Sequence, residues 1–344
     1  MLTKQQVEEI REHLGKAQNP IFFFDNDADG LCSFLLLQRY IRRGKGVAIK
    51  SFPEMTKEYM RRVSELNADY IFILDKPVVS KEFFEEATKI NIPIVWIDHH
   101  NVEKFIPENI GYYCSDEPTT HLCWQVTDRK EDLWVATVGC IADSYMPKFY
   151  GDFVKKYPDL SIKTENAFDV FYNAPLGTIC KMFSFGLKDR TTNVVNMLKF
   201  LMKVKNPYEV LEDTSRNHTM HERFKLLSKK HNKFLEKAKE LAEESGKVLF
   251  FQYGGDMSIS SDLANELSYL YPKKYVVVVF NSGVKANISV RGKNVKDIVL
   301  KSIEGLENAT GGGHEDAVGA KVNMDDLEEF RNRFIEEIKH RGIK

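Results

Sequence analysis

Residues 21–30 read IFFFDNDADG and constrain the fold more than any other segment of the chain. The apolar run, with three phenylalanines, predicts a buried strand, and it breaks into carboxylates at alternate positions followed by a glycine. Carboxylates this close raise one another's pKa, so a positive charge must lie among Asp25, Asp27 and Asp29 if all three are to stay ionised, and a hard divalent cation is the simplest candidate. Taken alone, the motif also fits a solvated turn in which an aspartate caps a helix that begins near Leu31.

Two further apolar segments end in the same way. Residues 70–74 (YIFIL) run directly into Asp75. Residues 94–97 (IVWI) are followed by three polar residues, Asp98, His99 and His100. Helical patterns separate the segments, which predicts a parallel sheet covered on both faces. Because ligands bind at the carboxyl ends of strands in such a sheet, we expect these side chains to meet at one edge as a metal cluster.

A fourth contribution comes from Asp143, which follows the apolar segment 134–142 (WVATVGCIA). The small residues of this segment allow close packing beside the sheet, but its periodicity fits a buried helix and a buried strand equally. Alone, Asp143 would be interpreted as a residue of a turn. Beside the three acidic strand ends it becomes a candidate metal ligand.

The overall composition excludes several classes of function. The 344 residues carry 49 basic and 50 acidic side chains, so no net positive charge attracts long nucleic-acid duplexes. The five cysteines form no CxxC pair, which favours a reducing cytoplasm over a disulfide framework or a zinc site. The apolar runs are too short to span a membrane and the chain begins with an amphipathic helical pattern, so we expect a cytoplasmic protein.

Changes in pattern predict three domains: an α/β domain with the acidic strand ends over 1–186, a helical linker over 187–246 and a smaller α/β domain over 247–344. The linker region carries helical periodicity with lysine and glutamate at surface spacings. His218 and His221 fit no metal set there and are expected at the surface.

The third domain carries a glycine run that can bind an anion. Gly311, Gly312 and Gly313 would expose backbone N–H groups to phosphate oxygens without side-chain obstruction. His314 can add a hydrogen bond or stack on a base, and Arg291 offers a forked donor to a phosphate. By itself, the run also fits a flexible turn with a capping histidine.

The order of these motifs resembles the DHH phosphoesterase superfamily, of the RecJ-like exonuclease and oligoribonuclease type. An Asp-x-Asp-x-Asp-Gly segment, a strand-end aspartate, Asp-His-His and a further aspartate occur in that order within the first 145 residues. The glycine run with its histidine and arginine resembles the C-terminal domain associated with DHH proteins. The resemblance implies an α/β fold: a parallel-sheet DHH domain, a helical linker and a smaller α/β C-terminal domain with a mixed sheet.

The resemblance also implies residue roles. Two divalent cations, usually Mn²⁺ with Mg²⁺ as the alternative, would be held by six residues: Asp25 and Asp27 on one ion, Asp29, His99 and Asp143 on the other, and Asp75 bridging both. His100 would face the substrate phosphate and Asp98 would orient the histidines. The substrate would be gripped in the C-terminal domain by Arg291, Gly311, Gly312, Gly313 and His314. One departure is Asp25, which stands where several relatives place a histidine.

The implied reaction is phosphoester hydrolysis by a metal-activated water, with single-stranded DNA or RNA or short oligonucleotides as substrates. Alternatives within the family are an oligoribonuclease that also dephosphorylates 3′-phosphoadenosine 5′-phosphate, and a cyclic dinucleotide phosphodiesterase. A catalytically inert replication scaffold of the same fold is the alternative outside the enzymes. The resemblance further implies replication, repair or RNA-processing proteins as partners. It implies no membrane partner, and it allows the protein to form an oligomer.

Overall fold

The computed structural model describes residues 1–51 and 54–341. The chain divides into two compact units, Met1–Lys225 and Leu226–Lys344. The three-domain division at 186 and 246 stays a prediction, and the last three residues of its third domain lie outside the described residues. No helix in the described part of the chain is long and apolar enough to cross a lipid bilayer.

The first unit alternates strands and helices as expected. Its strands are β1 (Pro20–Asp25), β2 (Lys45–Ile49), β3 (Glu54–Met55), β4 (Tyr70–Leu74), β5 (Val78–Val79), β6 (Ile94–Asp98) and β7 (Gly111–Cys114). Its helices are α1 (Lys4–Lys16), α2 (Ala28–Ile41), α3 (Met60–Glu65), α4 (Lys81–Lys89), α5 (Thr119–Thr127), α6 (Leu133–Ala142), α7 (Tyr150–Lys156), α8 (Ala167–Asn173), α9 (Pro175–Leu187), α10 (Thr191–Leu201) and α11 (Tyr208–Leu211). Short 3₁₀ helices lie at Lys57–Tyr59, Lys130–Asp132 and Pro158–Leu160. Helix α12 (His218–Glu244) contains the division between the units.

The main sheet of this unit is parallel, with the order β2-β1-β4-β6-β7 among the described strands. The register places Phe22 of β1 between Gly46 of β2 and Phe72 of β4. The order of strands reverses between β1 and β4, and in open parallel sheets ligands bind at the carboxyl ends of the strands at such a point. The residues that follow β1 and β4 are therefore candidates for a ligand-binding site.

Both faces of this sheet are covered, which explains the uninterrupted apolar runs. Phe22 and Phe24 point to the face where Phe24 stacks on Phe34 of α2, with ring centroids 5.2 Å apart. Phe23 points to the opposite face and meets Phe83 of α4 edge-on at 6.0 Å. Each fully buried phenylalanine contributes about 1.5–3 kcal/mol. The strand end is therefore fixed by packing on two sides.

The segment before Asp143, which the sequence left open between helix and strand, forms helix α6. The helix is apolar all round and buried along its length, as expected of a helix inside a core. Asp143 follows it as the C-terminal cap residue. This helix carries the acidic residue to the site from outside the sheet.

The second unit contains a mixed sheet, as expected. Its elements are β8 (Val248–Gly254), α13 (Ser260–Leu270), β9 (Tyr275–Asn281), β10 (Lys285–Arg291), α14 (Val295–Ile303), β11 (Thr310–His314), β12 (Ala317–Asn323), a 3₁₀ turn at Met324–Asp326 and α15 (Leu327–His340). The strand order in the described chain is β11-β12-β10-β9-β8, in which β8 and β9 are parallel and the other neighbours antiparallel. Separate apolar cores cover its two faces.

One expectation about the linker region is wrong. His221 is 7% exposed rather than a surface residue, and its Nε2 lies 2.9 Å from the backbone oxygen of Val210. His218, one turn earlier on the same helix, is 59% exposed and lies with its Nδ1 2.9 Å from Asp213 Oδ1. His221 is buried because its ring packs against the backbone at Val210, a contact that the charged composition of the segment concealed.

Candidate metal centre

The first acidic segment leaves the carboxyl end of β1 and enters α2 directly. Asp27 caps this helix, since its Oδ1 accepts a hydrogen bond from Gly30 N at 2.9 Å. The crossing is close: a Cβ added at Gly30 would lie 2.5 Å from the backbone oxygen of Asp25. Glycine is therefore required at this position. The helix begins at Ala28, before the start expected near Leu31, so the predicted helix cap is real and the third carboxylate lies inside the helix.

Asp29 is buried against the N-terminus of α5. Its side chain is 3% exposed, and its two oxygens accept hydrogen bonds from Thr119 N at 2.9 Å and Thr120 N at 2.8 Å. The free N–H groups of a first helical turn carry partial positive charge and stabilise a carboxylate. Sequence reasoning missed both threonines. The one signal available was Pro118, which stands at the start of this helix.

Asp75 follows β4 in the left-handed region, with φ of 59°. Its N–H donates to Ile97 O of β6 at 2.9 Å, and the hydroxyl of Thr119 donates to its Oδ1 at 3.3 Å. The side chain is 1% exposed. Burial, followed by the charge of Asp29 and other nearby carboxylates, raises the pKa of Asp75 well above its ordinary value. A cation beside it would restore the ionised form.

His99 lies between carboxylates from three segments. Its Nε2 is 3.3 Å from Asp75 Oδ1 and 3.9 Å from Asp29 Oδ2, and its Nδ1 is 3.9 Å from Asp143 Oδ2. Neighbouring ligands about 2.1 Å from an octahedral ion lie about 3 Å apart, so these separations are close to those of a coordination shell. Burial lowers the pKa of His99 and favours the neutral ring that binds metals.

Two groups of predicted site residues place one potential ligand atom each within 4.8 Å of the others. The first group is Asp75, His99 and His100, and the second is Asp29, His99 and Asp143. Carboxylate and imidazole donors suit Mn²⁺ and Mg²⁺ better than the thiolate sets of structural zinc. The chain thus fits a divalent ion of this kind. Neither group, within the described residues, includes Asp25 or Asp27.

His100 is held by a buried carboxylate rather than pointing freely at the site. Its Nδ1 lies 2.8 Å from Asp98 Oδ1, and Lys104 Nζ lies 2.5 Å from the other oxygen of the same residue. Although burial favours the neutral acid, the hydrogen bonds and charges of these two partners outweigh it and lower the pKa of Asp98. Burial likewise favours a neutral His100, yet the hydrogen bond with Asp98 outweighs it and raises the pKa of the ring.

Asp25 has a partner that sequence reasoning missed. Lys76, the residue after Asp75, places its Nζ 2.8 Å from Asp25 Oδ1 and 2.7 Å from the backbone oxygen of Ser51. Its side chain is 0% exposed. Burial, only partly offset by Lys76, raises the pKa of Asp25 to about 6. In the sequence, Lys76 stands among turn residues and looks like an ordinary surface lysine.

In the second unit, the predicted substrate-binding residues occupy neighbouring strands. Ala317 of β12 pairs with Arg291 of β10 on one side and with His314 of β11 on the other. The glycine run forms strand β11 rather than a turn, and Gly313 has φ of 145°. Arg291 Nε donates to Asn265 Oδ1 at 2.6 Å, a partner on α13 that the sequence did not reveal. Their part in substrate binding stays a prediction.

Comparisons with known proteins identify both units. The family model described as "DHH family, N-terminal domain" matches residues 21–161, and the model described as "DHHA1 domain" matches residues 243–340. Together these ranges cover more than half of the chain. A search of curated protein sequences finds no match.

Solved structures share the fold at low sequence identity. RecJ in complex with Mn²⁺ from Thermus thermophilus is 16% identical with a TM-score of 0.68, over 98% of this chain and 54% of that one. The chain thus spans about half the length of that protein. An exonuclease RecJ bound to manganese is 15% identical with a TM-score of 0.64, over 96% of this chain and 92% of that one. A pGpG-specific phosphodiesterase from Vibrio cholerae is 13% identical with a TM-score of 0.54, over 94% and 99% of the two chains.

Proposed function

Because this chain belongs to the DHH family and carries a DHHA1 domain, we propose that it is a divalent-metal-dependent phosphodiesterase that hydrolyses single-stranded nucleic acid or short oligonucleotides. One observation carries the proposal. Four potential ligands from four separate segments, Asp29, Asp75, His99 and Asp143, converge where the strand order of the sheet reverses. A structural role alone does not require three carboxylates, two of them buried, to gather around an imidazole.

The proposed ion is Mn²⁺, with Mg²⁺ as the alternative. Oxygen and imidazole donors without thiolate support this choice, and two solved structures with the same fold contain manganese. The raised pKa of Asp75 is a further argument, because a buried carboxylate among other carboxylates needs positive charge to ionise. We assign these four residues as the ligands.

When bound, the ion supplies Lewis acidity to a phosphoryl oxygen and lowers the pKa of a coordinated water. The chain supplies orientation. Asp98 fixes the ring of His100 through Nδ1 and so leaves Nε2 as the nitrogen that can reach a phosphate oxygen. Thr119 and the first turn of α5 hold the carboxylates of Asp75 and Asp29 in place.

We propose that the substrates are short nucleic acids, from dinucleotides to short single strands. The balance of 49 basic and 50 acidic residues gives no general attraction to long duplexes. Arg291 and His314, on either side of Ala317, are the proposed grip on a phosphate and a base. The phosphodiesterase from Vibrio cholerae, which is specific for the dinucleotide pGpG, shares the fold and supports this choice. The proposed location is the cytoplasm, in keeping with five free cysteines in the described chain.

A product ladder tests the proposal. End-labelled single-stranded DNA, single-stranded RNA and linear dinucleotides are incubated with the protein and Mn²⁺, Mg²⁺ or chelator, and Asp29→Asn serves as the site variant. Metal-dependent shortening by the wild-type chain, lost in Asp29→Asn, is the expected result. Intact substrates after incubation with wild-type protein that has been shown to bind Mn²⁺ would refute hydrolysis of single strands and linear dinucleotides and would favour an inert scaffold of this fold.

A further inference from the structure

Lys76 places a buried positive charge inside the acidic cluster. Its side chain is 0% exposed, and its ammonium contacts both Asp25 Oδ1 and the backbone oxygen of Ser51. Lysine is almost never fully buried unless it is paired. The ammonium therefore belongs to the architecture of the site rather than to the solvated surface.

The backbone around Lys76 is fixed from two directions. Asp75, immediately before it, adopts a left-handed conformation, and its N–H is bound by Ile97 O of the neighbouring strand. Trp96 donates its indole N–H to the backbone oxygen of Lys76 at 3.0 Å. Successive side chains of an extended strand point to opposite faces, but the left-handed residue breaks that alternation. Consecutive residues, one acidic and one basic, can therefore both reach the carboxyl edge of the sheet.

The carboxylates expected to hold a first ion already have partners. Asp25 is engaged by Lys76, and Asp27 by the backbone of Gly30. At this edge of the sheet, the described side chains close enough to share an ion are instead Asp29 with His99 and Asp143, and Asp75 with the two histidines. Both groups depend on His99, and a neutral imidazole offers a lone pair on only one nitrogen, so the two groups serve one ion between them. A divalent ion beside Asp25 would also face the ammonium at short range, and like charges at such distances repel strongly.

We propose that Lys76 supplies one of the two positive charges of the centre, so that the chain binds a single divalent ion. The ligands of this ion come from the carboxylates around His99, where Asp75 and Asp29 face Nε2 and Asp143 faces Nδ1. The ammonium holds Asp25 where the resemblance implied a second ion. This inference rests on the proposed function for the existence of the ion. It changes the number of ions from two to one and removes Asp25 from the ligands.

Manganese stoichiometry tests the inference without any activity. The full chain is stripped with chelator, and Mn²⁺ binding is followed by equilibrium dialysis with elemental analysis and by electron paramagnetic resonance. Wild-type protein should bind one ion with the spectrum of an isolated Mn²⁺, and so should Lys76→Arg, which keeps the charge. Lys76→Ala, which removes the charge and opens space beside Asp25 and Asp27, should bind a second, weaker ion and show the signal of an exchange-coupled pair.

A second variant keeps the test decisive if Lys76→Ala does not fold. The double variant Asp25→Asn with Lys76→Met removes both charges together, which buried ion pairs tolerate better than loss of one partner. It should still bind one ion, with affinity within about threefold of wild type, because Asp25 is not a ligand. Asp29→Asn, which alters a proposed ligand, should lose at least about 100-fold in affinity, beyond the usual effect of residues outside the ligand shell.

Two ions on wild-type protein, or a large loss of affinity in the double variant, would overturn the single-ion centre while leaving the proposed hydrolase intact. A folded Lys76→Ala that still binds one ion would also contradict the blocking role of the ammonium. No ion on wild-type protein would refute the metal centre itself, and the proposed function with it. Absence of hydrolysis by a one-ion protein would refute the function but not the ion count.

Discussion

His100 Nδ1 lies 2.8 Å from Asp98 Oδ1, and the second oxygen of that carboxylate is bound by Lys104. The aspartate is 0% exposed, so the hydrogen bond is shielded from water. A buried carboxylate with a cation on one oxygen and an imidazole on the other fixes the ring plane and the nitrogen that carries the proton. We therefore propose that Asp98 is a positioning residue that acts through His100.

Replacing Asp98 with asparagine should separate orientation from metal binding. The amide keeps the shape of the side chain but loses the charge that holds the imidazole, so kcat should fall by about 10–100-fold. Mn²⁺ content should stay at the wild-type value, because the proposed ligands remain. Steady-state kinetics and elemental analysis check both parts, with Asp152→Asn, an exposed residue of the same unit, as the control. Unchanged kcat would show that His100 does not need this partner.

The pair of Lys104 with Asp98 should also matter for stability. Lys104 is 5% exposed, and its ammonium lies over the rings of Trp96 and Tyr112 as well as against the carboxylate. Removing one partner of a buried ion pair leaves the other charge uncompensated, so Lys104→Ala should lower the free energy of unfolding by about 3 kcal/mol. Lys81→Ala, from an exposed pair, should lose less than about 1 kcal/mol. Urea denaturation of the metal-free proteins measures both, and equal losses would contradict the argument.

The strand ends could be predicted because they depend on local pattern. Apolar runs such as 70–74 lie on buried strands, and the alternation with helices requires a parallel sheet whose carboxyl ends share an edge. That reasoning was enough to bring Asp75 and His99 together, and the structure places them 3.3 Å apart.

Contacts that depend on tertiary position could not be predicted. Pro118 indicates the start of α5, but nothing in the sequence indicates that the backbone N–H groups of Thr119 and Thr120 meet Asp29, since any residue there would present the same groups. Lys76 enters the site only because Asp75 takes a left-handed conformation, which a single sequence does not reveal. The buried face of His221 depends on how one helix meets another, and composition pointed the wrong way.

Asp75 should make the stability of the metal-free protein depend on pH. Burial and neighbouring carboxylates raise its pKa in the folded state above the value of about 3.9 in an unfolded chain. A raised folded pKa contributes stability that is complete below the unfolded pKa and is lost as pH rises through the folded pKa. In chelator, Asp75→Asn should therefore gain Tm relative to wild type as pH rises, and saturating Mn²⁺ should reverse the order. A difference in Tm that stays flat with pH would mean that the carboxylate is not desolvated.

His314→Ala should weaken substrate binding without altering the metal. The residue lies on β11, in a different compact unit from the proposed ligands, and pairs across Ala317 with the strand that carries Arg291. Loss of one stacking or hydrogen-bonding contact to a base costs about 1–3 kcal/mol, so KM for a dinucleotide should rise by about 5-fold to 150-fold. Mn²⁺ binding should match wild type, as should that of the control His340→Ala on α15. Loss of metal in His314→Ala would contradict the assignment of the two units to different tasks.

Gly30→Ala should damage the site through the backbone. A Cβ at this position would lie 2.5 Å from the oxygen and 2.8 Å from the nitrogen of Asp25, and backbone atoms cannot swing aside as side-chain ends do. Relief requires α2 to move away from the end of β1, so the free energy of unfolding should fall by about 1–3 kcal/mol and Mn²⁺ affinity should fall as Asp29 moves with the helix. Gly15→Ala on α1 is the matched control, because a Cβ there meets nothing within 4 Å and should stabilise the helix by up to about 1 kcal/mol. Thermal melts measure the stability of the two variants, and Mn²⁺ titrations measure their affinity for the ion. A Gly30→Ala protein as stable as Gly15→Ala would mean that the close crossing of strand and helix is absent.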